Sequence, residues 1–380
     1  MKKIRSLELN CKNESPEFLQ TSLAASMTLG FRTGKFYRDA KLYCVNLLLT
    51  YSNGCKAACA YCGLNKDRHI DGNEQDKSFI RVEWPIYRLD QIIEALNSQK
   101  CDHVERICVS MVTNKRAVED ILTVNKKIKS QTDKLISSLI APTIITKDWL
   151  IDLKKSGTDK VGVAIDAATP ELFKRLRGVG VKGPHRWEKY WEIVQESIKV
   201  FKKGNVGIHL IVGLGETEEE MAYTFQKVHD MGAEIHLFSF FPESNSLLQD
   251  KAQPGIGQYR RIQLLRYLLS KNLIHYENLI FNTQGQIIEY GIDDDIIEDI
   301  INLGKAFKTS GCPGKTLEVA CNRPYANSTP FQAYMGECRN FPFDPSPEDI
   351  KLIRKQLFDY SDSFIPTIDK SEIIAKDDVQ

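Results

Sequence analysis

No apolar run in the 380-residue chain approaches the roughly 20 residues a membrane-spanning helix needs. The opening segment, MKKIRSLELNCKNESPEF, has no apolar signal core, so a cytoplasmic protein is expected. Charge of one sign is missing too. With 51 basic against 50 acidic side chains the net charge is +1, so no global field draws the chain to nucleic acid or to membranes, and any partner is recognised locally. Low-complexity tracts and internal repeats are absent. What is present is 42% hydrophobic and 27% charged residues, enough for a large core and, at this length, one large α/β domain plus an appendage. Ten cysteines in a reducing compartment make metal or redox chemistry a better expectation than a disulfide framework.

Apolar, β-rich runs at 42–50, 104–112, 134–141, 160–166, 206–213 and 235–241 alternate with helix-period stretches such as RLDQIIEALNSQ, RWEKYWEIVQESIKVFKKG and QYRRIQLLRYLLSK. This rhythm predicts parallel β/α units and an α/β fold, a full or partial (β/α)6 TIM-type barrel with active-site groups on the loops after the strands; a doubly wound open sheet has the same periodicity. The expected division is an N-terminal extension (1–35), a barrel domain (36–308) and a Cys-rich C-terminal extension (309–380). In the last part the rhythm gives way to Cys, Pro, Gly and Asn until a helix from about 347 and a polar tail.

Cys55, Cys59 and Cys62 in NGCKAACAYCGLN directly follow the first strand. Thiolates so spaced suit zinc or an iron-sulfur cluster. A structural zinc site is closed by four ligands, and no second CxxC pair stands nearby. A [4Fe-4S] cluster on three thiolates keeps one iron open to a substrate-like molecule.

The CxxxCxxC spacing, with Tyr61 before the last cysteine, resembles the radical S-adenosylmethionine superfamily. The resemblance covers roughly residues 36–290. It implies a site-differentiated [4Fe-4S] cluster on Cys55, Cys59 and Cys62, and S-adenosylmethionine cleaved to a hydrogen-abstracting radical. HLIVGLGETEEE (209–220) resembles the fifth-strand segment of the biotin synthase group, which implies that Val212, Gly213 and Glu216 lie near adenine. AIDAATPELF (164–173) is similar to its fourth-strand segment, so Asp166 would contact the ribose or methionine end, or else only cap a helix. Arg186 in GPHRWEKYW would clamp the S-adenosylmethionine carboxylate. His209 and His236 either face substrate or are hydrogen-bonded interior histidines.

The sequence departs from biotin synthase, whose second cluster is held by cysteines on separate strands. Cys108 falls where the first would, but Ser137 and Ser138 occupy the third run and Gly207 the fifth, so that site cannot be assembled the same way. Cys312, Cys321 and Cys338 lie instead in the Pro- and Gly-rich extension, where a metal centre would order a segment with little core of its own. The expectation is an auxiliary [4Fe-4S] cluster on these three, with the fourth ligand open among Cys11, Cys44, Cys108, a hydroxyl such as Ser310 or Ser328, and substrate.

Together with FYRDAKLYC and the tail TSGCPG…CNRPYAN…RNFPF, the pattern resembles the biotin-synthase-like proteins of the split (two-component) archaeal-type lipoyl synthases. That implies a sulfurtransferase acting on an octanoyl chain of a lipoyl-carrier protein or domain, a paralogous partner synthase, and an electron donor such as ferredoxin or flavodoxin. Phe240, Phe241, Tyr325, Phe331 and Tyr334 would line the acyl channel. The family pattern has a close CPGC-type pair; here KTLEVA separates Pro313 and Gly314 from Cys321. The alternative is a radical enzyme without sulfur insertion, such as a carbon-skeleton rearrangement of the methylornithine synthase kind, or a biotin-synthase-like enzyme.

Overall fold

Six of the apolar runs become strands of one parallel array: Cys44–Leu49, Arg106–Ser110, Leu135–Ile140, Lys160–Asp166, Val206–Val212 and Glu234–Ser239. The computed structural model describes residues 13–68, 78–79, 81–316 and 318–361; Cys11 and the polar tail after 361 lie outside these residues. Most residues of these strands are buried, as β-branched and Leu-rich strands covered on both sides should be. The strands lie in sequence order, each parallel to the next. Beyond Cys44–Leu49 the sheet continues through two antiparallel strands, Phe18–Thr21 and then Ile86–Arg88. The fold is therefore α/β with an eight-stranded, mostly parallel sheet, and the strands do not close into a ring among the described residues.

Helices follow the strands and bury their apolar faces on the sheet. Their ends carry the expected local chemistry. Thr217 and Glu220 form a capping box ahead of Glu218–Asp230, and Thr169 caps Pro170–Leu176 with proline in the first turn. Ser346 and Asp349 box the start of Pro347–Leu357. No described helix is long and apolar enough to cross a membrane.

Residues 309–346 have little regular structure, yet they are tied to both ends of the parallel array. At its free edge the backbone N–H groups of Leu237 and Ser239 donate to Ser310 Oγ (2.8 Å) and Asn327 Oδ1 (3.3 Å). At the other end Asn322 accepts from the Tyr43 N–H (3.3 Å) and donates to Lys41 O (2.8 Å). Side-chain amides and a hydroxyl thus satisfy backbone groups at the free edge and just ahead of the first parallel strand.

Candidate functional site

Register decides which side chains share the inner face. Asn46 pairs with Cys108, Leu48 with Ser110, Ser110 with Leu139, and Ala164 with His209. Every parallel strand contributes to the lining of a single cavity, among its residues Leu48, Ser110, Leu139, Ala164, His209 and Phe238. The cavity holds about 1270 Å³ of empty space, part of it open to solvent. Its mouth lies at the carboxyl ends of the strands, where Cys55, Cys59, Tyr61 and Cys62 reach it from the loop after the first strand.

That loop is held from several sides. Gly54 supplies a left-handed turn (φ 60°), and Asn114 Nδ2 donates to Asn53 Oδ1 (2.7 Å) and Gly54 O (3.1 Å). Asn65 Nδ2 donates to Cys59 O (3.1 Å), and the Ala60 N–H to Leu176 O (2.8 Å). Two sulfurs already accept backbone donors: Ala57 N–H to Cys55 Sγ (3.5 Å) and Leu64 N–H to Cys62 Sγ (3.4 Å). Burial pushes the Cys59 thiol up and the Cys62 thiol well up, while the Arg177 guanidinium pulls Cys59 back. Amide donors and an adjacent cation are what thiolate ligands require. Among the described residues no three His, Cys, Asp or Glu side chains are spaced to hold a single metal ion. Three thiols at one cavity mouth, two of them accepting backbone donors, are a donor set suited to an iron-sulfur cluster.

Asp166 ends the fourth parallel strand with φ 64°, a strained conformation for a residue other than glycine. Its carboxylate accepts from Tyr61 Oη (2.5 Å) and lies 3.2 Å from Arg177 Nη1. Arg177 is buried, donates to Ile165 O (2.9 Å) and Tyr190 Oη (3.3 Å), and stacks on Phe173 and Tyr190. His185, also on the cavity wall, bonds Thr143 Oγ1 (2.6 Å) through Nδ1. Burial, with the Arg177 charge, lowers it to about 3, so the imidazole is neutral.

The site residues named from sequence separate into two groups. Cys55, Cys59, Cys62, Tyr61 and Asp166 come together on the cavity. Arg186 does not; it is exposed at the start of Trp187–Phe201 and off the cavity wall, where the guanidinium present is Arg177. Val212 is fully buried, and Gly213 makes the turn with φ 100°. Glu216 folds back, accepting from the N–H groups of Gly213 (2.6 Å), Leu214 (3.0 Å) and Gly215 (3.0 Å); burial outweighs these bonds and lifts its carboxyl to about 7. None of these three lines the cavity, so Glu216 organises its own turn. His209 faces the cavity, and His236 stacks against it at 5.2 Å. Phe240 and Phe241 line the cavity, but Tyr325 donates to Tyr37 O, and Phe331 and Tyr334 are exposed on the surface. Arg177, Tyr190, His185 and Asn327 were missed; an arginine in FKRLRG reads as a helix-end charge, and only its burial distinguishes it.

In the extension, the Cys321 N–H donates to Cys312 O (3.1 Å), and the two thiols are within electrostatic reach of Cys44 and Cys108 on the strands. Cys338 does not join them. It donates to Asn340 O (3.3 Å), and its neighbours are Arg260, Asp349 and Arg38.

Residues 49–228 match the family model described as Radical SAM superfamily. A probable GTP 3′,8-cyclase of Thermococcus kodakarensis is 26% identical over 174 residues, 46% of this chain and 50% of that protein, so the chain spans half of that relative's length. Among solved structures, the FeFe-hydrogenase maturase HydG from Carboxydothermus hydrogenoformans superposes with a TM-score of 0.47 at 15% identity, covering 88% of this chain and 81% of that one. Methylornithine synthase (PylB) superposes at 0.45 and 14% identity, covering 64% and 66%.

Proposed function

With residues 49–228 a radical S-adenosylmethionine domain, for which a [4Fe-4S] cluster and S-adenosylmethionine are the cofactors, we propose that this enzyme inserts sulfur at an unactivated carbon of a carrier-bound octanoyl chain. The reading is that of a lipoyl-synthase-type sulfurtransferase. It is carried by one observation: Cys55, Cys59 and Cys62 stand at the cavity mouth, and Cys108 is the next inward residue before the cavity-lining Ser110, about 7 Å deeper along the strand at strand rise.

In this reading Cys55, Cys59 and Cys62 hold the radical cluster, which with S-adenosylmethionine supplies the hydrogen-abstracting radical while a second, auxiliary cluster supplies sulfide. The protein's own part is positioning and exclusion. Tyr61 and Arg177 fix the Asp166 carboxylate facing the cavity, where it can accept from ribose hydroxyls or the amino group of S-adenosylmethionine. Arg177 also keeps a positive charge beside Cys59. Leu48, Leu139, Ile211, Phe238 and Phe240 make a wall that an octanoyl chain can follow and that keeps water from a carbon radical. The exposed Phe331, Tyr334 and Met335 give a carrier domain an apolar surface. A paralogous partner synthase for the other sulfur, and ferredoxin or flavodoxin as electron donor, complete the scheme.

Anaerobic incubation of the reconstituted full chain with reductant, S-adenosylmethionine and an octanoyl-lysyl carrier peptide tests it. A peptide mass increase of one or two sulfur atoms is expected. Cleavage of S-adenosylmethionine with an unaltered octanoyl peptide would overturn sulfur insertion and leave the radical enzyme standing.

A further inference from the structure

The eight residues between Cys312 and Cys321 look too many for a ligand pair, but they fold back as a hairpin. Pro313 bridges to Val319, the Gly314 N–H donates to Glu318 O (2.7 Å), and Cys312 O accepts from both the Ala320 N–H (3.0 Å) and the Cys321 N–H (3.1 Å). The eight-residue insertion closes on itself, and the two cysteines it separates in sequence are joined backbone to backbone.

Two further contacts set this hairpin against the strands. Arg106, opposite Cys44 in the sheet, donates through Nε to Pro313 O (2.7 Å), next to Cys312. Asn46, opposite Cys108, sends Nδ2 to Cys321 Sγ (3.9 Å). Cys44, Cys108, Cys312 and Cys321 all lie within electrostatic reach of one another. We propose that Cys44, Cys108, Cys312 and Cys321 are the complete ligand set of a second iron-sulfur cluster, and that Cys338 is not a ligand.

The surroundings suit an anionic cluster. Arg106, Lys160 and Arg323 are the cations beside these thiols. Arg106 is already neutralised by Asp159 (2.5 and 2.8 Å). Arg323 Nη2 and Asn46 Oδ1 are buried with no partner among the described residues, a state polar groups avoid unless something else meets them. The inference deepens the sulfur-insertion reading and rests on it only for the use of the centre, not for its binding.

The test uses the full chain, anaerobically reconstituted with iron and sulfide, as the variant C55A/C59A/C62A, which lacks the mouth thiols. About four iron atoms per chain are expected to remain, to persist when C338S is added, and to fall to background when C44S and C108S are added instead. An iron-free triple variant, about one zinc per chain in place of iron, loss of iron with C338S, or retention with C44S/C108S would each overturn the site. Because the variants can misfold, wild-type protein provides a second reading. About eight iron atoms are expected, and added S-adenosylmethionine should change the Mössbauer signal of one open iron site, about one in eight, since four cysteines leave no iron open in the second cluster. A second iron site that changes on addition would overturn the proposal. A second cluster found in protein that adds no sulfur to the octanoyl peptide would sink the sulfur-insertion reading and support this site.

Discussion

Asp166 shows how one residue is asked for two things. Its φ of 64° lies in the left-handed region, and its carboxylate neutralises the buried Arg177. Two substitutions separate these demands. Asp166→Asn tolerates the backbone and keeps an acceptor for Tyr61 and Arg177, but leaves the guanidinium charge unbalanced. Asp166→Ala loses the acceptor too and adds about 1–2 kcal/mol of left-handed strain. Removing one partner of a buried pair costs about 3–5 kcal/mol, with Asn at or below the low end because its oxygen remains. Urea unfolding should therefore rank wild type above Asn above Ala, and equilibrium dialysis should show S-adenosylmethionine binding at least about tenfold weaker in both, a loss of about 1.4 kcal/mol. Equal stability of the three proteins would refute this reading of the strain and the pair. His185 makes a pH prediction at the same scale. Its folded value of about 3 lies below the unfolded value, so the folded state resists the proton that the unfolded chain accepts. Stability should decline as pH falls from about 6.5 toward 3. His185→Gln keeps an amide for Thr143 and removes the titration, so its melting temperature should fall less steeply over that window; His209, lowered to about 4, keeps the slope from vanishing.

Among elements, the base of the 312–321 hairpin has little room. A Cβ on Gly311 would meet Cys321 O at 2.4 Å, a backbone atom that cannot move without carrying Cys321 along. Gly311→Ala should cost about 1–3 kcal/mol as overpacking and raise amide hydrogen exchange across 309–346, while the cavity mouth keeps its protection; exchange unchanged in the tail would count against this packing. The parallel strands and their helices were legible beforehand because apolar periodicity and β-branched runs are local properties, and the six observed strands fall within a residue or two of those runs. The mouth thiols were legible because their spacing is short enough to be read along the chain. The tail was not. Its order comes from Ser310, Asn322 and Asn327 bonding sheet-edge groups far away in sequence, and such polar side chains carry no period. Residue type and proximity in sequence suggested Cys338 and Arg186, whereas the fold puts Arg177 on the cavity wall and Cys44 and Cys108 within reach of Cys312 and Cys321.

At the scale of the whole molecule, a parallel array left open is closed by a segment that barely has a core of its own, so something outside that segment must anchor it. The anchor is the helix Ile256–Ser270. Arg260 donates to Cys338 O (2.6 Å) and Arg339 O (2.8 Å), and Arg261 donates to Leu357 O (3.1 Å) and Asp359 O (2.8 Å). Arg261 is held in turn by Glu218 (2.7 Å), with both side chains 1% exposed, and Glu218 also accepts the Ile287 N–H (2.8 Å). Glu218→Gln leaves a buried guanidinium without its counter-charge, so unfolding stability should fall by about 3–5 kcal/mol. A Glu218→Met, Arg261→Met pair removes both charges and should recover much of that loss, though the carbonyls of Leu357 and Asp359 lose their donor. If this pair is the clasp of the closing segment, hydrogen exchange in 305–361 should accelerate in Glu218→Gln well before exchange in the six parallel strands does. A uniform rise across the chain would mean that the pair stabilises the fold as a whole and that the tail is held by its sheet-edge bonds alone.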